Sequence, residues 1–214
     1  MEILTSESPM KFIRIPRQDN QIERWLTYEE QDKVLSHCED WLKHLVTFDL
    51  HTGLRMNELL NLKWMDVDLS RKTAVVMESK NDERRTLPLN DIAIQALRSI
   101  SANSRIVNMD GYVFTRNGRK IVKQELQYHF RKAVKNAKIA HCRFHDLRHT
   151  FATRLSQSGV DIYKISRLLG HRAIQTTVRY SHHSSESLRS GVDILGSKAD
   201  KAQYGDFMTF PTAP

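Results

Sequence analysis

The pentapeptide HDLRH, His145 to His149, sets two imidazoles at i and i+4 with an arginine between them. On an ideal helix His145 and Arg148 lie about 60° apart and His149 about 40° from His145 on the other side, so the three share one polar edge turned away from Leu147. Two chemistries compete for that edge. The spacing matches the zinc-protease helix H-E-x-x-H, but the general-base position holds Asp146, and Arg148 adds a fixed positive charge where a metal would sit. A phosphate fits better. A guanidinium donates two parallel hydrogen bonds to phosphate oxygens, and an imidazole beside it accepts or releases a proton near neutral pH. The segment therefore reads as an anion grip, with no metal expected.

Phosphoryl chemistry needs more than one arginine and one histidine, and other segments supply the rest. HTGLRMNELLNLKW offers Arg55 just after a glycine turn, with Glu58 at i+3. ESKNDERRTLPL offers Lys80 in a turn between two β-rich runs, and LLGHRAIQTTVRY offers His171 and Tyr180. Each has an ordinary structural reading when taken alone. Arg55 and Glu58 make a surface ion pair; Lys80, like Lys72 on the preceding turn, is a solvated turn lysine; Tyr180 is a core tyrosine with a satisfied hydroxyl. His149 reads as a supporting residue rather than a proton carrier. His182 and His183 read as a polar turn.

These residues need a framework, and the pattern supplies one that is mostly helical. Residues 1–24 are polar, carry Pro9 and Pro16, and read as an extended arm. A capping box of Thr27 and Glu30 starts a helix near Tyr28. A second helix carries Leu42, Leu45, Val46 and Asp49–Leu50 at helical spacing and is expected to stop at Gly53. From Trp64 to Leu89 the runs VDL, TAVVM and RRTLPL predict a small three-stranded antiparallel sheet, with Lys80 in or beside its second turn. Helices resume with DIAIQALRSI and QELQYHFRKAVKNA. FHDLRHTFATRLSQSG puts Leu147, Phe151 and Leu155 on one stripe, and DIYKISRLL ends at Gly170, directly before His171. A short helix brings Tyr180, and SSESLRSGVDIL makes one more amphipathic helix. The fold class is α+β, with residues 197–214 as a loose tail.

Composition narrows the partner. The chain has 214 residues, 40% of them hydrophobic, and a formal net charge of +8, with a pI near 9.6. That balance favours a polyanion, and nucleic acid suits the even spread of Arg and Lys. Two cysteines without a C-x-x-C pair argue against a disulfide framework and fit a reducing cytoplasm. No apolar run approaches the roughly 20 residues that span a bilayer.

Taken in order, TGLRxxEL, S-K-x-x-x-x-R-T-L-P-L, H-x-L-R-H-T-F-A-T, L-L-G-H and T-x-x-R-Y resemble the catalytic domain of the tyrosine recombinases, the phage-integrase family. The resemblance runs from about Leu26 to about Leu195 and places a catalytic domain at residues 25–196. It implies a catalytic set of Arg55, Lys80, His145, Arg148, His171 and Tyr180, with Glu58 matching the acidic residue that follows the first arginine. It further implies that Tyr180 attacks a phosphodiester of double-stranded DNA to form a 3′-phosphotyrosyl link. His145 would take the phenolic proton and Lys80 would give one to the departing 5′-oxygen. Arg55, Arg148 and the N–H of His171 would stabilise the transition state, without metal, cofactor or ATP. In the family, strands are exchanged in a tetramer on two DNA sites, so SSESLRSGVDIL is a subunit contact by resemblance, and the isolated domain is expected to be monomeric. A helical core-binding domain usually precedes the catalytic one, which makes this chain a candidate fragment of a longer integrase. Two other readings share the fold: a catalytically silent DNA-binding regulator and a type IB topoisomerase.

Overall fold

A computed structural model describes residues 24–77, 84–102 and 109–181. The arm at 1–23, Lys80, His182, His183, the SSESLRSGVDIL segment and the tail at 197–214 lie outside the described residues.

The chain enters through α1 (Tyr28–Ser36). Thr27 Oγ1 accepts the Glu30 N–H at 3.2 Å and the Glu30 carboxylate accepts the Thr27 N–H at 3.1 Å, closing the capping box that the sequence carries. Next comes α2 (Asp40–Leu50), whose Leu42, Leu45, Val46 and Phe48 are buried, and which packs against α1 and three later helices. Gly53 does not cap this helix directly. The helix ends at Leu50 and a further turn follows, in which the Gly53 N–H reaches Asp49 O at 2.7 Å and Gly53 takes φ +60°. That turn aims the chain into α3 (Met56–Asn61).

After a single 3-10 turn at Trp64–Asp66, β1 (Val67–Asp68), β2 (Thr73–Met77) and β3 (Arg84–Pro88) form the expected antiparallel sheet in the order β1-β2-β3. Leu87 of β3 is buried while Arg84, Thr86 and Pro88 are exposed, the alternation of a strand with one face on the core. Asn90 Oδ1 accepts the Ala93 N–H at 2.9 Å and starts α4 (Asp91–Ala102), which lies on α2. A second, two-stranded sheet follows, β4 (Thr115–Arg116) and β5 (Arg119–Lys120). Periodicity did not reveal it because each strand has only two residues; the clue was N-G at Asn117–Gly118, both of which adopt positive φ.

The last helices are α5 (Lys123–Asn136), α6 (Asp146–Gln157), α7 (Ile162–Leu169) and the short α8 (Gln175–Val178). Asp161 caps α7 at its start, and Gly170 ends it in the left-handed conformation, φ +66°. The main core gathers side chains from Leu26, just before α1, through to Leu147. A smaller cluster of Ala152, Ile165, Leu169 and Tyr180 joins α6, α7 and the segment after α8. Because α6 packs against both α2 and α7, it has little solvent-facing surface in its middle. Among the described residues no helix is long and apolar enough to cross a membrane.

Candidate active site

The two candidate arginines converge on the C-terminal end of α7. Arg148 lies in α6 and is 3% exposed. It does not share a solvent-facing polar edge with the histidines, as helical geometry alone predicts, because α2 and α7 enclose this part of α6. Its guanidinium donates from Nη1 to Gly53 O at 2.6 Å and from Nη2 to Leu169 O at 2.7 Å. Arg55, at the N-cap of α3, donates from Nη2 to Gly170 O at 2.6 Å. Consecutive carbonyls, Leu169 and Gly170, thus hold one arginine each, and the turn that precedes Arg55 holds Arg148. Burial, then the neighbouring Arg55, pushes the Arg148 guanidinium down to about 10, still charged at neutral pH.

Glu58 stands beneath Arg55. Its side chain is 2% exposed, and its carboxylate accepts the Arg55 backbone N–H at 3.0 Å and Arg55 Nη1 at 2.9 Å. Arg85 of β3 adds two bonds to the same carboxylate, at 2.9 and 2.7 Å. Although burial opposes ionisation, the arginine bonds prevail and hold the Glu58 carboxyl below its ordinary value.

His171 follows Gly170 and turns Nδ1 to Thr177 Oγ1 at 2.7 Å. Burial, then Arg148 and Arg55, pushes its imidazole down to about 3, so the ring is neutral at physiological pH. A neutral ring bonded through one nitrogen leaves the other to meet a ligand. An open cleft of about 630 Å³ adjoins this cluster, lined by Arg84, Arg85, Arg167, Arg172 and His171 among others.

Tyr180 belongs to a second group. It is 4% exposed and packed with Ala152, Ile165 and Leu169, so it is not displayed to solvent. Its hydroxyl lies 2.6 Å from His149 Nδ1, and its carbonyl accepts Ser156 Oγ at 2.6 Å. Burial, then His145, pushes the His149 imidazole down to about 4, which leaves Nδ1 able to accept the phenolic proton. The His145 ring stands edge-on to His149 with centroids 4.9 Å apart. Partial burial of the ring, then Arg148, holds the His145 imidazole below the ordinary value. Thr177 joins the two groups: its hydroxyl meets His171, and its carbonyl accepts the Tyr180 N–H at 2.9 Å.

Two further residues carry the site without having been singled out from sequence. Arg85 is the first. Asp49 is the second, with its carboxyl 1% exposed beneath the Gly53–Arg55 turn, its Oδ1 without a hydrogen-bond partner, and burial holding it well above the usual carboxylate range. Both had a visible signal. Asp49 sits at i+4 from Leu45 on an apolar stripe, and Arg85 sits two residues before Leu87 on the inward face of a strand. Lys72, the competitor of Lys80, is tied to Asp91 Oδ1 at 2.5 Å on the opposite turn of the sheet. Among the described residues no group of acidic, histidine and cysteine side chains has the arrangement of a metal site.

The model of the phage integrase family matches residues 24–187, a span that contains the whole arrangement. The chain belongs to the phage integrase family. The integrase of Salmonella phage P22 is 32% identical over 205 residues, covering 90% of this chain and 53% of that protein. The tyrosine recombinase XerC of Bacillus pumilus is 32% identical over 204 residues, covering 88% and 66%. This integrase-family chain thus spans about half to two thirds of the length of these curated relatives. Among solved structures, the XerA recombinase is similar with a TM-score of 0.68 at 26% identity, covering 92% of this chain and 68% of that one. The catalytic domain of bacteriophage HP1 integrase gives 0.61 at 26% identity, covering 79% and 93%. The architecture is that of a tyrosine recombinase catalytic domain, mostly helical with small antiparallel sheets.

Proposed function

We propose that this chain is the catalytic domain of a site-specific DNA recombinase, cleaving and rejoining double-stranded DNA through Tyr180. The observation that carries the reading is the meeting of Arg55 and Arg148 on the consecutive carbonyls of Leu169 and Gly170, directly before His171. Two guanidinium groups and an imidazole drawn from three distant segments form a donor set suited to the non-bridging oxygens of a phosphodiester, on which negative charge builds in the transition state. A similar solved protein supports the substrate class: the XerH site-specific recombinase, 25% identical with a TM-score of 0.65, bound to palindromic difH substrate after cleavage.

In the reaction, a bond forms between Tyr180 Oη and phosphorus while the bond from phosphorus to the 5′-oxygen breaks. The phenolic proton passes to an imidazole, and the departing oxygen takes a proton from Lys80. The nearest imidazole is His149, so the role that resemblance gives to His145 falls first to its neighbour, with His145 edge-on behind it. Arg55 and Arg148 neutralise the non-bridging oxygens, and His171 donates an N–H. For attack, Tyr180 has to leave its apolar pocket, because a side chain 4% exposed cannot reach a duplex in place. The phosphotyrosyl link conserves the bond, so the 5′-hydroxyl of another strand reverses the step without ATP. We further infer assembly as a tetramer on two DNA sites, acting in the cytoplasm where bacterial or phage DNA is found.

The test is a nicked suicide duplex, from which the cleaved end diffuses away. The wild-type chain should accumulate a covalent adduct that resists denaturation, and Tyr180→Phe should accumulate none. Loss of the hydroxyl removes the bond to His149, worth about 1 kcal/mol, while the ring keeps its packing, so the variant should remain folded. Persistence of the adduct in Tyr180→Phe would sink the assignment.

A further inference from the structure

Arg85 occupies a position where a strand calls for an apolar residue. It shares the inward face of β3 with Leu87, its side chain is 17% exposed, and its Nε is buried without a hydrogen-bond partner. Such a guanidinium is costly unless something fixes it there. Glu58 does so through two bonds, and the other face of the group packs on Gly170: a Cβ at Gly170 would stand 2.7 Å from Arg85 Cζ. Arg85 therefore touches the partner of Arg55 and the residue whose carbonyl receives Arg55.

The charges explain why a second arginine is useful. Glu58 bonded to Arg55 alone would cancel the positive charge that a phosphate needs. With Arg85 sharing the carboxylate, two cations face one anion and the cluster keeps a net positive charge beside the basic cleft. We infer that Arg85 is a positioning residue for the cleavage reaction, sharing Glu58 with Arg55 so that Arg55 stays aimed at the scissile phosphate. The inference rests on the reading that Arg55 grips that phosphate.

The experiment compares wild type, Arg85→Gln and Arg85→Lys on the suicide duplex and, without DNA, records the ¹⁵N resonance of Arg55 Nε. Arg85→Gln should slow adduct formation at saturating DNA by at least about 10-fold while changing DNA affinity by less than about 3-fold, the pattern of an interaction that matters in the transition state rather than in binding. Arg85→Lys, which restores charge but not the two-pronged geometry, should recover part of the rate. In Arg85→Gln/Glu58→Gln the two losses should not add. The Arg55 resonance should shift in Arg85→Gln. An unmoved Arg55 resonance, a wild-type rate in Arg85→Gln, or a loss confined to DNA affinity or to melting temperature overturns the inference. Failure of wild type to form adduct defeats the recombinase reading instead, and the resonance still decides whether Arg85 controls Arg55.

Discussion

The phenolic oxygen of Tyr180 and Nδ1 of His149 lie 2.6 Å apart inside a pocket that leaves the tyrosine 4% exposed. The proposed nucleophile is thus stored against a neutral imidazole, while the arginines are gathered around the end of α7. Storage of this kind ties reactivity to movement of the segment after α8, whose anchors are Ser156 on the Tyr180 carbonyl and Thr177 on the Tyr180 N–H.

His149 should therefore matter to the chemical step and not only to packing. His149→Gln retains a polar partner for the phenol but cannot take its proton, and we expect adduct formation to slow by about 10²-fold, the usual scale of general-base catalysis. His145→Gln should cost less. Single-turnover cleavage of the two variants decides the matter: if His145→Gln is the slower and His149→Gln matches wild type, the base is His145.

Acid should weaken the fold through the same histidines. In the unfolded chain imidazoles protonate near 6.5, whereas in the fold His149 stays neutral down to about 4 and His171 down to about 3. Between these values the unfolded state binds more protons, so stability falls as pH drops below about 6.5, and this contribution is complete near pH 3. Urea midpoints from pH 7.5 to 4 should decline more steeply for wild type than for His171→Asn. Equal slopes would show that His171 is not held neutral by its surroundings.

Asp49 has the opposite sign. Burial raises its carboxyl far above 3.8, so the fold holds a proton that the unfolded chain releases, and stability is lost as pH rises from about 3.8 toward the raised value. Its carboxyl accepts the Leu54 N–H. Asp49→Asn keeps that acceptor and removes the ionisation, so its melting temperature at pH 8 should equal or exceed that of wild type. Asp49→Ala strands the Leu54 N–H at a cost of about 1–3 kcal/mol and loosens the turn that carries Gly53 to Arg55. A melting temperature for Asp49→Asn as low as that for Asp49→Ala would show that the ionised carboxylate is required.

The residues proposed to bear chemistry stood out because they fall in short motifs with fixed neighbours, as in the order from Thr52 to Leu59 or from Leu168 to His171. Helix starts were legible for the same local reason, as the Thr27–Glu30 box shows. Burial was not. Arg148 looked like a surface residue because helical phase describes one helix and knows nothing of α2 and α7 packing on both sides of it. The contact of His149 with Tyr180 spans 31 positions, and Arg85, quoted only as the arginine of R-T-L-P-L, was given no role because its partner, Glu58, lies 27 positions away. Long-range pairing of charged groups leaves no period to read.

Leu169 and Gly170 are adjacent, and the carbonyl of each holds a different arginine. Tilting one stretch of backbone at the end of α7 would disturb both cations together, so the donor set is intact or scattered as a unit, with little room for a half-competent intermediate. For the proposed cleavage that coupling is a safeguard: a duplex docked out of register would meet no partly armed site.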